Sequence, residues 1–317
     1  MTQPRDGLVA DIGEFGLIEE LRPIFSQPDD VVVGPGDDAA VVKMAGGRCV
    51  VSTDLLLEGR HFRRDWSSAE DVGHKAAAAN LSDINAMGGR GTSMVIGLGV
   101  PGSTPLEWVR DLARGFADET AEVGASVLGG DVSAADSVVL SVTVLGACEG
   151  EPVLRSGARP GDVVAVCGRL GWAAAGFHVL GRGFRSPRVV VEAHRRPEVP
   201  YDAGPEAASL GATALIDVSD GLLADLGHVA RASGVGVDVR SDAFGLDEPL
   251  QAVGAALGVD PLAFVLTGGD DYALAATFAP DVRLPDRWRV VGAVGEGEGV
   301  TVDGEEYAES TGHQHFA

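Results

Sequence analysis

The chain has 317 residues, 45% of them hydrophobic, and a formal charge of −23 at pH 7. That length suggests about two domains, and that hydrophobic share excludes a disordered chain. So acidic a protein disfavours nucleic acid and anionic membranes as partners. Lys43 and Lys75 are the two lysines, which rules out a GxxxxGK[ST] phosphate loop; a bound phosphate would need metal ions between it and the carboxylates.

In chain order, the spacing of Phe15, Leu17, Ile18, Leu21 and Ile24 predicts a short amphipathic helix. VVVGPGDDAAVV then reads as two valine-rich strands around a Gly-Pro-Gly turn that delivers Asp37 and Asp38. A strand at Cys49-Val50-Val51 ends in Ser52-Thr53-Asp54, and the loop after it carries His61. Ser68 to Met87 is predicted helical, with Gly88-Gly89 as its stop and Asn80 and Asp83 as neighbours on its surface. A strand (94–100), a helix (106–123) and a strand running into Gly129-Gly130-Asp131 follow, then a long strand over 138–148.

The Pro/Gly-rich stretch 151–162 marks the expected domain boundary, giving domains 1–150 and 151–317. After a strand at 163–167, Gly168 to Gly176 reads as strand, turn and helix with spaced glycines. Those glycines serve either to offer N–H groups to a phosphate or to let helix and strand pack closely. Residues 185–205, rich in Arg and Pro, are predicted to loop over the surface. Ala214–Ile216 is an apolar run ending at Asp217. Ser219 or Asp220 is then expected to cap a helix through Leu222, Leu223, Leu226, Val229 and Ala230, stopped by Gly234. A strand over 234–242 and a helix over 246–257 lead to FVLTGGDDYALAATF, read as two strands around Gly-Gly-Asp-Asp. A strand over 288–297 and a tail with His313, His315 and Phe316 complete the chain. Mixed strands and helices in each half indicate two α/β or α+β domains.

Cys49, Cys148 and Cys167 each lie in or beside apolar runs, so three buried thiols in a reducing cytoplasm are expected. MTQPRDGL lacks a signal-peptide pattern, and no stretch reaches the ~18 apolar residues of a membrane span, so a cytoplasmic location is expected.

Asp37/Asp38, Asp54, Asp131, Asp217/Asp220 and Asp270/Asp271 mostly follow apolar runs directly, and Asp83 sits on a helix. A single such Asp is usually a turn or cap residue. Their recurrence after buried runs suits magnesium, which takes carboxylate and phosphate oxygens and keeps several waters.

The ordered set GDD (36–38), STD (52–54), GRHF (59–62), NLSDINAMG (80–88), GGD (129–131), RSGARPGD (155–162), DVSDGL (217–222) and GGDDY (268–272) resembles the thiamine-monophosphate kinases, within the aminoimidazole-ribonucleotide-synthetase-like group. The resemblance runs from about Gly13 to Phe316. It implies a two-domain α/β fold, a homodimer pairing its N-terminal sheets, and ATP-dependent phosphorylation of thiamine monophosphate to thiamine diphosphate with several Mg2+ ions. By position it implies Asp38, Ser52, Thr53, Asp54, Asp83, Asp131, Asp217 and Asp220 as metal ligands. It likewise implies Gly130, Asp131, Arg155 and Ser219 as ATP contacts, and His61, Asp270 and His313 as substrate contacts. The family usually has Glu where this chain has Asp270, and an aromatic residue where it has His313. Two other readings stand beside this one. An aminoimidazole ribonucleotide synthetase-like enzyme is disfavoured by GRHF, and a non-catalytic nucleotide- or metal-binding regulator by the intact carboxylates.

The resemblance also bears on mechanism. A phosphate monoester is already largely ionised at pH 7, since its second pKa is about 6. It can attack the γ-phosphate without a dedicated general base.

Overall fold

In the computed structural model, structure is described for residues 8, 11, 20–25, 31–33, 41–43, 49–307 and 312. The expected positions Asp37, Asp38 and His313 and most of the first predicted helix lie outside those residues; of that helix, Glu20 and Leu21 are helical and Arg22–Ile24 is a tight 3-10 turn. The chain divides into two units, 1–84 with 90–147, and 85–89 with 148–317.

In the first unit, Val31–Val33 (β1) and Val41–Val42 (β2) pair antiparallel. Next come Val50–Leu57 (β3), the helix Ala69–Ala86 (α1), Arg90–Val100 (β4), the helix Leu106–Glu122 (α2), Ser126–Ala134 (β5) and Val139–Ala147 (β6). The last four strands form one sheet in the order β3-β6-β4-β5. Only β4 and β5 are parallel, joined by a crossover through α2.

A reciprocal capping box starts α1. Ser68 N donates to Asp71 Oδ2 at 2.9 Å, and Asp71 N to Ser68 Oγ at 3.1 Å. Gly88, at φ 74°, ends it in the left-handed conformation. The helix lies on one face of the sheet, with Leu81 over Gly91 and Ile84 over Gly146; a Cβ at either glycine would strike those side chains. The other face keeps Val51 and Leu55 61% and 58% exposed.

The second unit holds Val163–Cys167 (β7), Trp172–Gly181 (α3), Arg188–Arg195 (α4), Ala203–Ser209 (α5), Ala214–Val218 (β8) and Leu222–Ser233 (α6). Gly236–Val239 (β9), Glu248–Leu257 (α7), Pro261–Thr267 (α8), Ala273–Phe278 (β10), Trp288–Gly295 (β11), Gly299–Val302 (β12) and Glu305–Glu306 (β13) follow. Its sheet has seven strands in the order β13-β12-β9-β11-β7-β10-β8. Strands β8 and β10 are buried throughout, which is why they read as continuous apolar runs without alternation.

Several expectations change. The predicted surface loop at 185–205 contains α4 and α5; α4 buries Val190, Val191 and Ala193, with Arg188 exposed and Arg195 half-buried. The predicted strand through Phe264 is the helix α8, started by Pro261 and capped by Asp260, whose side chain accepts from Leu262 N at 2.9 Å. Asp54 and Asp131 sit inside β3 and β5, not at strand ends. Among the cysteines, Cys167 is buried but Cys49 is exposed; all three are free thiols. No single helix among the described residues is long and apolar enough to cross a membrane.

Candidate active site

In the first unit, alternation along β3 turns Ser52 and Asp54 to the face that α1 covers. There Ser52 Oγ donates to Asp83 Oδ2 at 2.5 Å, so strand and helix motifs meet as spacing alone did not show. One turn before Asp83, Asn80 is fully buried; its Nδ2 donates to Ala76 O at 3.0 Å, and its Oδ1 has no hydrogen-bond partner. Thr53 points to the opposite face, where its hydroxyl donates to Val142 O at 2.9 Å and lies 2.9 Å from Thr143 Oγ1.

Asp131 is also apart from the Ser52–Asp83 pair. Its register runs through Gly97 and Ser141 to Leu55, on the uncovered face of the sheet. Beside it, Gly130 must be glycine, because a Cβ there would fall on the Ile96 carbonyl. His61 lies in the tight turn after β3, and its Nδ1 accepts from Leu57 N at 3.0 Å. With that nitrogen as acceptor, the neutral ring carries its proton on Nε2.

In the second unit, β8 delivers Asp217, only 4% exposed and opposite Leu274 on β10. The next three residues turn sharply into α6. The N-cap is Gly221, at φ 129°, and not Ser219 or Asp220 as expected; a Cβ at Gly221 would strike the Thr267 carbonyl. The turn is held by a residue the sequence reading missed. Asp225 Oδ2 accepts from the N–H groups of Ser219, Asp220 and Gly221 at 3.1, 3.1 and 3.0 Å. Burial pushes Asp225 up to about 7, the charge of Asp220 adds to that, and the three N–H donors oppose it. A signal existed: Leu222, Asp225, Leu226 and Val229 follow helical spacing, so a carboxylate stands in the buried stripe of α6.

The Gly-Gly-Asp-Asp segment packs against the same turn. Asp270 N donates to Ser219 O at 2.8 Å and Tyr272 N to Val218 O at 2.9 Å. Asp270 adopts φ 66°, and Tyr272 Oη donates to its Oδ1 at 3.2 Å. Asp270, Ser219 and Asp220 are therefore brought together. His228 on α6 senses both Arg155 and Asp220: burial lowers its pKa first, Arg155 lowers it further, and Asp220 raises it.

Asp271, grouped by sequence with the carboxylates that suit magnesium, turns inward instead. It accepts from Gly171 N at 2.5 Å and Ala173 N at 2.8 Å, and burial pushes it up to about 7. Those N–H groups of the Gly168–Gly176 stretch are thus already used. The glycines there serve close packing, since a Cβ at Gly176 would strike the Val190 carbonyl of α4.

The donors in the motif positions are carboxylate and hydroxyl oxygens. That chemistry fits a hard, oxygen-seeking cation such as magnesium better than a thiolate- or imidazole-seeking metal. A different group, Glu70, His74 and Asp118, brings ligand atoms within 4.8 Å of one another on α1 and α2, where His74 Nδ1 lies 2.9 Å from Glu119 Oε2.

Two family models match the chain: AIR synthase related protein, N-terminal domain, over residues 36–148, and its C-terminal domain over 159–304. A thiamine-monophosphate kinase of Mycobacterium tuberculosis is 47% identical over 308 residues, covering 96% of this chain and 92% of the relative. That of Corynebacterium glutamicum is 40% identical over 326 residues, covering 98% and 96%. The solved structure described as AaThiL complexed with AMPPCP and TMP superposes with a TM-score of 0.81 at 33% identity, covering 96% of this chain and 98% of that one.

Proposed function

This chain belongs to the thiamine-monophosphate kinases of the AIR synthase related family, and from that premise we propose that it transfers the γ-phosphoryl group of ATP to thiamine monophosphate, giving thiamine diphosphate. The observation that carries this reading is the full-length likeness to an enzyme solved with AMPPCP and TMP. The acidic motifs STD, NLSD, GGD and DVSDG are intact here.

Ser52, Asp54 and Asp83 in the first unit, and Asp217 and Asp220 in the second, are the residues we assign to magnesium. Asp38, Thr53 and Asp131 are assigned to metal by family position alone, Thr53 and Asp131 lying on the other face of the sheet from Ser52 and Asp83. When bound, magnesium supplies charge neutralisation between two anionic reactants and aligns them for in-line transfer. The Ser52–Asp83 contact keeps strand and helix ligands in one place before any cation arrives. Gly130, Asp131, Arg155 and Ser219 are assigned to ATP. His61, through its Nε2 proton, and Asp270 and His313 are assigned to the substrate. No residue is assigned as a general base, because the attacking phosphate oxygen is already ionised.

The uncovered sheet face with Val51 and Leu55 supports a homodimer through the first unit. Free thiols and nucleotide chemistry support a cytoplasmic location. A coupled ADP-release assay tests the reading. ADP should form with ATP, Mg2+ and thiamine monophosphate together. ADP release indifferent to thiamine monophosphate would overturn the assignment.

A further inference from the structure

Successive backbone N–H groups converging on one point make an anion-binding hollow. Directly before a helix, where the dipole adds its positive end, such a hollow ordinarily receives a phosphate oxygen. The turn between β8 and α6 has this form, but it is filled from within. All three N–H groups, of Ser219, Asp220 and Gly221, go to the single oxygen Oδ2 of Asp225, a residue only 3% exposed. The first turn of α6 fixes that carboxylate in turn, since Asp225 N donates to Gly221 O at 2.9 Å. The carbonyls on the other side are also engaged, Val218 O by Tyr272 N and Ser219 O by Asp270 N.

We infer that Asp225 is a positioning residue that closes this hollow to phosphate, and so converts the start of α6 from an anion-binding end into one that presents Asp217 and Asp220 to a cation. The inference rests on the reading of Asp217 and Asp220 as magnesium ligands. With the hollow open, the turn would lose the carboxylate that fixes its three N–H groups, so Asp217 and Asp220 would no longer be held toward one cation and metal-held nucleotide would bind less readily. With the hollow filled, nucleotide is held at this turn through magnesium.

The experiment is calorimetric binding of AMPPCP across a Mg2+ titration, without turnover, on wild type and on Asp225→Asn, Asp225→Ala and Asp220→Asn. It is repeated with sodium formate replacing sodium chloride at equal ionic strength. Asp225→Ala should raise the Mg2+ concentration for half-maximal binding by about tenfold, the loss of one charge-assisted contact. Formate, a carboxylate small enough for the vacated hollow, should reverse most of that rise. Asp220→Asn should raise the Mg2+ requirement without any formate effect. Should Asp225→Ala not fold, Asp225→Asn, which keeps the shape but not the charge, should still show a rise of threefold or more. A folded Asp225 variant with a lowered melting temperature and a wild-type Mg2+ requirement would make Asp225 merely structural and overturn the inference. If Asp220→Asn itself left the Mg2+ requirement unchanged, the metal reading of the turn would fail, whatever Asp225 did.

Discussion

The contact between Ser52 and Asp83 offers a quantitative test of how the first unit prepares its site. A hydroxyl donates to a carboxylate at 2.5 Å, between a strand and a helix far apart in sequence, and neither residue is fully buried. Hydrogen bonds to charged groups contribute about 1.5–3 kcal/mol when buried, and partial exposure lowers that toward about 1–2 kcal/mol. A double-mutant cycle of Ser52→Ala and Asp83→Ala, followed by urea unfolding without divalent metal, should return a coupling energy of that size. The same cycle at saturating Mg2+ distinguishes bracing from ligation. If Ser52 also holds the cation and its loss weakens binding tenfold, Ser52→Ala should lose about a further 1.4 kcal/mol of metal-linked stability. A coupling below about 0.5 kcal/mol would refute the preorganised pair, and a Mg2+-independent cost would confine Ser52 to bracing Asp83.

Three further outcomes follow from the site. Asp220→Asn should cut turnover by at least ~100-fold, the scale of one key electrostatic group, with an unchanged circular dichroism spectrum; near-normal turnover at saturating Mg2+ would remove Asp220 from the metal set. His61→Ala should raise the KM for thiamine monophosphate more than that for ATP, because His61 is assigned to the substrate. An equal rise in both, measured by steady-state kinetics, would return His61 to a turn-stabilising role through its bond with Leu57 N. Leu55→Asp places a charge on the uncovered face of the first sheet, where the proposed homodimer would pair; light scattering should show a dimer for wild type and a monomer for the variant, and a wild-type chain that is monomeric at micromolar concentration would contradict the pairing.

What the sequence made legible was the order of motifs and the type of most elements. The long strand over 138–148, the helix from Ser68 to Met87 and the Gly234 stop of α6 are local signals, and local signals survive folding. What it hid depends on tertiary placement. Asp54 and Asp131 look alike as carboxylates after apolar runs, yet pairing register puts them on opposite faces of one sheet. The α8 segment reads as a strand because Phe264, Val265 and Leu266 are apolar and bulky; Asp260 and Pro261 just before them set the helix instead. Asp225 was passed over, and Asp271 was grouped with the magnesium-suited carboxylates, because neither burial nor backbone donors can be read from an acidic chain's sequence.

In the proposed reaction the acceptor brings its own ionised nucleophile, and the choice of acceptor separates this from base-assisted transfer. With ATP and Mg2+ fixed, ADP and thiamine diphosphate are followed together for thiamine monophosphate and for unphosphorylated thiamine. Thiamine has a hydroxyl that needs a base and lacks the phosphate that carboxylate-held magnesium would position. Thiamine monophosphate should give thiamine diphosphate and ADP in equal amounts, at a rate rising from about pH 5.5 to 7.5 as its phosphate ionises. Thiamine should give no ADP above the background ATPase rate, whereas comparable turnover on both acceptors would contradict base-free transfer and require a general base among Asp83, Asp270 and His61.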